Sequence, residues 1–184
     1  PWRIILRMKI ERLWLRFFLP KNAKLIVQTP SMQSTLLTGL NRYAESMPFI
    51  ANTQSTEISL TSTPAYDFLY VASGEPHKNH KNLVKAWAEL SQQKIFPHLA
   101  LTLDSTRFPD LCQWIENQKA QHQLKISFLG ELKSDQMPIT YAASRALIYP
   151  SRYESFGLPL VEALAAGLPV LAANEPYVTD VVEP

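Results

Sequence analysis

From residue 67 onward, short apolar runs rich in β-favouring residues alternate with longer stretches of helical period, a rhythm that few folds accommodate. Strands are expected over Asp67–Ala72, His98–Leu103, Lys125–Leu129, Ala146–Tyr149 and Pro169–Ala172. Helices are expected between them over His80–Gln92, Pro109–Gln121, Ser134–Ala143 and Pro159–Ala166. Such alternation predicts an α/β fold with a parallel sheet and helices on both faces, in which ligands bind at the carboxyl ends of the strands. The loops that follow strands are therefore where functional residues are expected.

The 184 residues suffice for one globular domain and are short for two. Nearly half the residues are apolar (46%) and 18% are charged, which excludes a disordered acidic or basic tail. No run approaches the length of a membrane-spanning helix. The lone Cys112 excludes a disulfide scaffold or a cysteine-based zinc site and suits a reducing compartment, so a cytoplasmic location is expected. His80, His98 and His122 lack metal-ligand spacing and read as surface or capping residues.

Charge divides the chain unevenly. Residues 1–50 carry eight Lys/Arg against two Asp/Glu, whereas residues 51–184 carry ten against fourteen. Between the two parts, Thr53, Ser55, Thr56, Ser59, Thr61, Ser62 and Thr63 mark a linker. The expected division is a first unit over 1–51, a Ser/Thr-rich linker over 52–65 and a larger unit over 66–184.

In the first unit, Pro1–Pro20 reads as a helix, because Arg3, Arg7, Lys9, Glu11, Arg12 and Arg16 interrupt any signal-like apolar run. Leu6, Ile10, Leu13 and Phe17 form one apolar stripe and Ile4, Met8, Leu15 and Leu19 a second, implying two buried faces. The alternative is a basic helix lying on a membrane surface, a contact more often made by a single apolar face. Leu25-Ile26-Val27 then reads as a buried strand, followed by a helix toward Leu40 capped by Ser31, and Pro48–Ala51 as another short strand. Nothing in this unit offers a nucleophile, a metal set or a phosphate loop.

The richest post-strand loop runs from Pro150 to Val170. Gly157 permits close approach of a ligand to the backbone, Pro159 suits a first helical turn, and Gly167 suits a C-terminal cap. The free N–H groups and positive dipole end near Gly157 and Leu158 favour a phosphate or diphosphate. Glu154 falls before this helix and Glu162 within it, where carboxylates accept hydrogen bonds from hydroxyl-bearing groups. The spacing alone proves little, since Glu175 and Glu183 share it without such a loop.

With Phe128-Leu129-Gly130, Tyr141-Ala142-Ala143, Tyr149-Pro150-Ser151 and Glu154-Ser155-Phe156-Gly157-Leu158-Pro159 ahead of Glu162-Ala163, the segment Tyr141–Asp180 resembles the C-terminal lobe of retaining GT-B-fold glycosyltransferases of group 1, the family 4 type. Their signature is two Glu separated by seven residues. The resemblance extends back through Phe68–Ala72 and Glu75-Pro76-His77-Lys78-Asn79, and more weakly to Val27-Gln28-Thr29-Pro30. It implies a Rossmann-like nucleotide-sugar-binding lobe, incomplete at its C-terminus, preceded by a remnant of the N-terminal acceptor lobe. The chain is accordingly expected to be part of a longer enzyme and inactive by itself.

Carried across by residue, the resemblance implies that Glu154 contacts donor-sugar hydroxyls and Glu162 the ribose. Ser155, Phe156, Gly157 and Leu158 would hold diphosphate and sugar, and Lys78, with His77 beside it, would meet the diphosphate. Gly130 and the segment Glu131-Leu132 would form the edge that receives the base. Several positions depart from the pattern: His77 stands where many members have Arg, Ala72 precedes the loop in place of Gly with Gly74 two residues later, Asp104-Ser105 replaces a glycine, and Asp180 replaces Glu. A neutral imidazole at position 77 donates at most one hydrogen bond from a given nitrogen.

The resemblance implies transfer of a sugar from a nucleoside-diphosphate sugar, GDP- or UDP-linked, to a saccharide or lipid-linked saccharide hydroxyl. Retention, no cofactor and no metal requirement are expected, with a role in bacterial surface-polysaccharide or lipopolysaccharide assembly and peripheral contact at the inner face of the membrane. Glu75–Asn79 resembles the corresponding phrase of mannosyl- and rhamnosyl-transferring members, which leans toward a GDP donor. The rivals are a non-catalytic nucleotide-sugar-binding module and a nucleotide-sugar epimerase of the same fold. A dehydrogenase is poorly supported, because the five glycines, at 39, 74, 130, 157 and 167, form no G-x-G-x-x-G. A nucleic-acid partner is not expected, because the basic residues concentrate in the first helix.

Overall fold

A computed structural model describes residues 2–20, 22–47 and 63–182. In chain order the elements are α1 (Trp2–Phe18), β1 (Leu25–Val27), α2 (Pro30–Leu40), β2 (Ala44–Ser46), β3 (Phe68–Tyr70), α3 (His80–Gln92), β4 (Leu99–Leu101) and α4 (Pro109–His122). There follow β5 (Ile126–Phe128), α5 (Met137–Ala142), β6 (Leu147–Tyr149), α6 (Leu158–Ala165), β7 (Val170–Ala172) and α7 (Pro176–Val182).

β3 to β7 form one parallel sheet in the order β5-β4-β3-β6-β7. The chain therefore begins in the middle, builds outward through β4 and β5, and returns across β3 to place β6 on its other side. This is the doubly wound arrangement, and its crevice lies where the loops after β3 and β6 diverge. The strands are shorter than the apolar runs that announce them, three residues each. Leu99, Ala100 and Leu101 are all fully buried, as expected of a central parallel strand covered on both faces.

Helix periodicity explains the packing against the sheet. In α3, His80, Leu83, Val84, Trp87 and Ala88 are buried at the three- and four-residue intervals of one helical face. Trp87 also donates its indole N–H to the carbonyl of Pro97 at 2.9 Å, so its polar atom is satisfied beneath the apolar surface. Cys112 and Ile115 of α4 join the same core, together with Leu160 and Ala163 of α6.

The first unit forms a two-stranded parallel sheet, β1 against β2, with α2 between them in sequence. The side chain that caps α2 is Thr29 rather than Ser31: its Oγ1 accepts from Met32 N at 3.3 Å, and Pro30 occupies the first turn. Ser31 instead uses its backbone N–H, which donates to Asp180 Oδ2 of α7 at 2.8 Å and ties the first unit to the end of the second.

A further expectation for the first unit changes, and others fall outside the described residues. The stripe Leu6, Ile10, Leu13 and Phe17 of α1 is exposed rather than buried, as is Trp14. The second strand of this unit is Ala44–Ser46, whereas the expected strand over 48–51 lies outside the described residues, as does most of the expected linker over 52–65. Among the described residues, no helix is long and apolar enough to cross a membrane.

Candidate active site in the crevice between the β3 and β6 loops

Two loops build the site, one after β3 and one after β6. The first turns through Pro76–Lys78, a single 3-10 turn that ends at Asn79 with φ 65°. Asparagine tolerates this left-handed conformation better than most residues, and its side chain donates to the carbonyl of Pro150 at 3.1 Å. Arg152 N donates to the carbonyl of His77 at 2.9 Å, so the two loops are joined by backbone as well as side chains.

Beneath the loops lies a chain of buried hydroxyls. Tyr70 donates to the carbonyl of Lys78 at 2.6 Å and also lies 2.9 Å from Ser151 Oγ. A phenol has one proton, so Ser151 must be the donor in the second bond. Tyr177 of α7 donates to the carbonyl of Ser151 at 2.8 Å. Burial, reinforced by the charge of Glu154, pushes the phenols of Tyr149 and Tyr177 well above the usual tyrosine range. Burial does the same for Tyr70 against the opposing hydrogen bond from Ser151. These groups act as fixed donors and positioning elements, and none serves as a base near neutral pH.

Above them Lys78 Nζ donates to Glu154 Oε1 at 2.6 Å, with side chains 15% and 11% exposed. Tyr149 donates to the same oxygen at 3.1 Å. Glu154 Oε2 has no partner among the described residues, which leaves it available to accept from a ligand hydroxyl. Lys78, Glu154, Ser155, Phe156, Gly157 and Leu158 all line one cavity of about 490 Å³, together with Gln28 from the loop after β1.

Gly157 adopts φ +86° as the N-cap of α6, and it supplies no side chain to cap the helix. The N–H groups of the first turn and the positive end of the helix dipole thus meet the cavity wall formed by Gly157, Leu158 and Pro159. A polyanion is the natural ligand for an ammonium and a helix N-terminus facing the same space.

A second cavity of about 190 Å³ adjoins the first, with Val71 in the lining of both. Leu132, Glu131 and Ala72 contribute to it, and Arg107 and Glu131 make a loose ion pair at 3.7 Å. Gly130 precedes this edge with φ +71° and open space where a Cβ would lie.

Glu162 and His77 are not among the residues lining either cavity. Glu162 accepts a hydrogen bond from the buried Tyr141 of α5 at 2.8 Å, which fixes its carboxylate on the flank of α6. Burial and the Glu162 charge together hold the Tyr141 phenol far above its usual range, so it remains a donor.

His80 is not a surface or capping residue. It is 3% exposed, packs against Tyr70 with ring centroids 4.8 Å apart, and has no hydrogen-bond partner on either ring nitrogen. Burial, assisted by the Lys78 charge and opposed by Glu75, pushes it down to about 4, so it is neutral at physiological pH. His98 likewise lies partly buried, with Nε2 2.8 Å from Ser127 Oγ. Among the described residues, no group of three or more His, Cys, Asp or Glu could hold a metal ion.

Sequence reasoning missed Gln28, Tyr70, Ser151 and Tyr177 as parts of the site. Tyr70 and Ser151 lie at the ends of apolar strands, where position alone could have flagged them. Gln28 follows the Leu25–Val27 strand, where position could also have flagged it, and Tyr177 carries no local signal.

Comparison with known proteins places this arrangement. Residues 53–184 match the family model described as glycosyl transferases group 1. The O-antigen chain mannosyltransferase B of Escherichia coli is 32% identical over 114 residues, covering 62% of this chain and 30% of that protein. The O-antigen chain mannosyltransferase RfbU of Salmonella typhimurium is 26% identical over 94% of this chain and 49% of its own length. The chain therefore spans half or less of these relatives. A glycosyltransferase from Rickettsia africae superimposes with a TM-score of 0.73 at 20% identity, over 91% of this chain and 48% of that one. Anabaena Alr3699/HepE, in complex with UDP and glucose, superimposes with a TM-score of 0.71 at 17% identity, over 93% and 49%. These neighbours share the GT-B fold.

Proposed function

Because the chain belongs to the glycosyl transferases group 1, we propose that it carries the donor half of an enzyme that moves a hexosyl group, mannosyl in keeping with its relatives, from a nucleoside diphosphate to a saccharide hydroxyl with retention. The assembly of a bacterial surface polysaccharide is the setting this reading favours. The observation that carries it is the Lys78–Glu154 pair, held at 2.6 Å in the wall of a cavity that also meets the N-terminus of α6.

In this reading the diphosphate lies against Gly157, Leu158 and Lys78, and the base occupies the smaller cavity along Gly130 and Leu132. The bond between the anomeric carbon and the β-phosphate oxygen breaks, and its electron pair passes to that oxygen. Lys78 and the helix N-terminus stabilise the charge that develops there. The acceptor oxygen bonds to the anomeric carbon from the same face and its proton goes to the departing phosphate. Glu154 orients the sugar by accepting from its hydroxyls, and Glu162, set by Tyr141, accepts from the ribose. With ammonium and helix neutralising the diphosphate, activity without a divalent metal is the expectation. Glu154 and Glu162 are not the acid and nucleophile of a glycosidase, which flank a scissile bond.

α1 supports a further part of this reading, peripheral contact with anionic lipid at the cytoplasmic face, because Leu6, Ile10, Leu13 and Trp14 are exposed beside the exposed Arg7 and Lys9. Flotation with anionic vesicles at low salt tests it, and undiminished binding after replacement of Arg3, Arg7, Arg12 and Arg16 overturns it.

Calorimetric titration of the chain with GDP, UDP, ADP and dTDP tests the donor site, with Lys78→Ala and Glu162→Ala in parallel. Selective binding of one diphosphate, weakened by both substitutions, is expected. A folded chain that binds none overturns the reading. In the whole enzyme of which this chain would be the donor half, binding with no transfer in the presence of acceptor supports a binding module, and epimerised donor without acceptor supports an epimerase.

A further inference from the structure

Gln28 stands directly after β1, in the unit that contributes no other residue to the lining of the large cavity. Its Oε1 is buried and has no hydrogen-bond partner, which among the described residues it shares only with the two ring nitrogens of His80. The His80 ring sits in the apolar core against Tyr70, whereas Gln28 lines the cavity that holds Lys78 and Glu154. A buried acceptor left without a donor is costly, and native proteins keep few of them.

The position of Gln28 is fixed by its neighbours. Thr29 caps α2 through Met32 N, and the next residue but one donates its backbone N–H to Asp180 of α7 at 2.8 Å. Met47 N also donates to the carbonyl of Val27 at 2.7 Å, holding the end of β1 in its sheet. The amide is therefore presented to the cavity that the Lys78–Glu154 pair also lines, on backbone anchored at both ends.

An orphaned carbonyl oxygen selects its ligand by chemistry. It needs an O–H or N–H, and an ionised diphosphate has neither to give. The base of a nucleotide would lie in the adjoining smaller cavity, beyond Val71. In the same reading the ribose hydroxyls fall to Glu162, which is not among the residues lining the large cavity, so the hydroxyls of the transferred hexose are left for the space shared with Glu154.

We infer that Gln28 is a donor-sugar-binding residue: its side-chain carbonyl accepts a hydrogen bond from a hydroxyl of the hexose, so that the first unit grips the sugar while the second grips the nucleotide. The inference rests on the donor reading given above. It adds to that reading a contact from outside the lobe that holds the nucleotide, and it makes sugar affinity depend on the two units remaining together.

The test separates sugar from nucleotide. The wild-type chain and Gln28→Met, which keeps length and apolar contact but removes the amide, are titrated by calorimetry with GDP and GDP-mannose, and with UDP and UDP-glucose, in the absence of acceptor. For whichever pair the wild type binds, the sugar conjugate is expected to bind the variant about 3- to 10-fold more weakly, the loss of one neutral hydrogen bond. Affinity for the free diphosphate is expected to stay within about twofold, which also shows that the variant is folded. Equal weakening of both ligands assigns Gln28 to the fold or the nucleotide and overturns the inference. Unchanged affinity for both overturns it too while leaving the donor reading intact. A wild-type chain that is folded and binds none of the four ligands overturns the donor reading itself, and the inference falls with it.

Discussion

Lys78 and Glu154 lie 76 residues apart in the chain, yet their charged groups meet at 2.6 Å. They are brought together because β3 and β6 are neighbours in the sheet although β4 and β5 intervene in sequence. Both loops leave the same edge of the sheet at the point where the winding reverses, so a cation from one faces a carboxylate from the other. Tyr149, the last residue of β6, adds a hydrogen bond to the same carboxylate oxygen and fixes which oxygen the lysine takes.

Breaking this pair has separable consequences. In the enzyme assayed with acceptor, Glu154→Gln is expected to lower turnover on the order of 10²-fold, the scale of losing a polar group that acts in the transition state. Its nucleoside-diphosphate affinity is expected to change little, and unchanged turnover would remove Glu154 from its assigned role. Lys78→Met is expected to weaken nucleoside-diphosphate binding, measured by calorimetry, and to leave a carboxylate short of its partner. Denaturant titration should show a stability loss of about 1–3 kcal/mol for that variant.

Tyr141 sets Glu162 from a different helix. Removing its hydroxyl in Tyr141→Phe leaves the carboxylate in place but free to rotate, so nucleoside-diphosphate affinity is expected to fall about 3- to 10-fold, the value of one hydrogen bond. Glu162→Ala should fall further, and the double variant should be no worse than Glu162→Ala. Additive losses in calorimetry would show that Tyr141 acts independently of Glu162.

His80 makes stability depend on pH. Its folded value of about 4 lies below the ordinary 6.5, so between these values the unfolded chain binds the proton that the folded chain refuses. Its contribution is intact above about pH 7 and is lost as pH falls through 6.5 toward 4, reaching about 3 kcal/mol below both values. His80→Phe keeps an aromatic ring against Tyr70 and removes the titration. Urea titrations of both proteins from pH 7.5 to 4 should show the difference between them changing in the variant's favour with acid, and parallel curves would assign the acid sensitivity elsewhere.

Gly157 and Gly167 both have positive φ, but their surroundings differ. A Cβ at Gly157 would stand 3.0 Å from Leu160 Cδ1 and 3.4 Å from Tyr177, whereas at Gly167 nothing lies within 4 Å. Each alanine variant meets the left-handed penalty of about 1–2 kcal/mol. Gly157→Ala is expected to lose more than Gly167→Ala in thermal or urea unfolding, and it alone should weaken nucleoside-diphosphate binding, because it displaces the first turn of α6. Equal effects on binding would argue against that turn as the anion seat.

Much of the second unit was legible in the sequence because its signals are local. The apolar face of α3 repeats at helical spacing from Leu83 to Ala88, and the helix runs over the expected His80–Gln92. Glycine at 157 and 167 marked both ends of α6, since few other residues accept those backbone angles. Alternation of element types then determined a parallel α/β sheet, because consecutive parallel strands need crossovers and the helices supply them.

Only the tertiary structure decided what those elements hold. Strand order set Lys78 against Glu154, and the packing of α2 on α7 accompanies the placing of Gln28 in the wall of the same cavity. Thr29 rather than Ser31 is the cap because α2 starts at Pro30, and Ser31, already inside the helix, gives its backbone N–H to Asp180. His80 occupies an ordinary helix-starting position in sequence, and only Tyr70, from a strand, makes it a core residue. The apolar stripe of α1 likewise predicted burial, but periodicity specifies a face without specifying a neighbour, and Leu6, Ile10 and Leu13 remain exposed. Local patterns fix which backbone conformations are cheap; the contacts that make a site join residues far apart in the chain, and their meeting depends on the order in which the strands assemble.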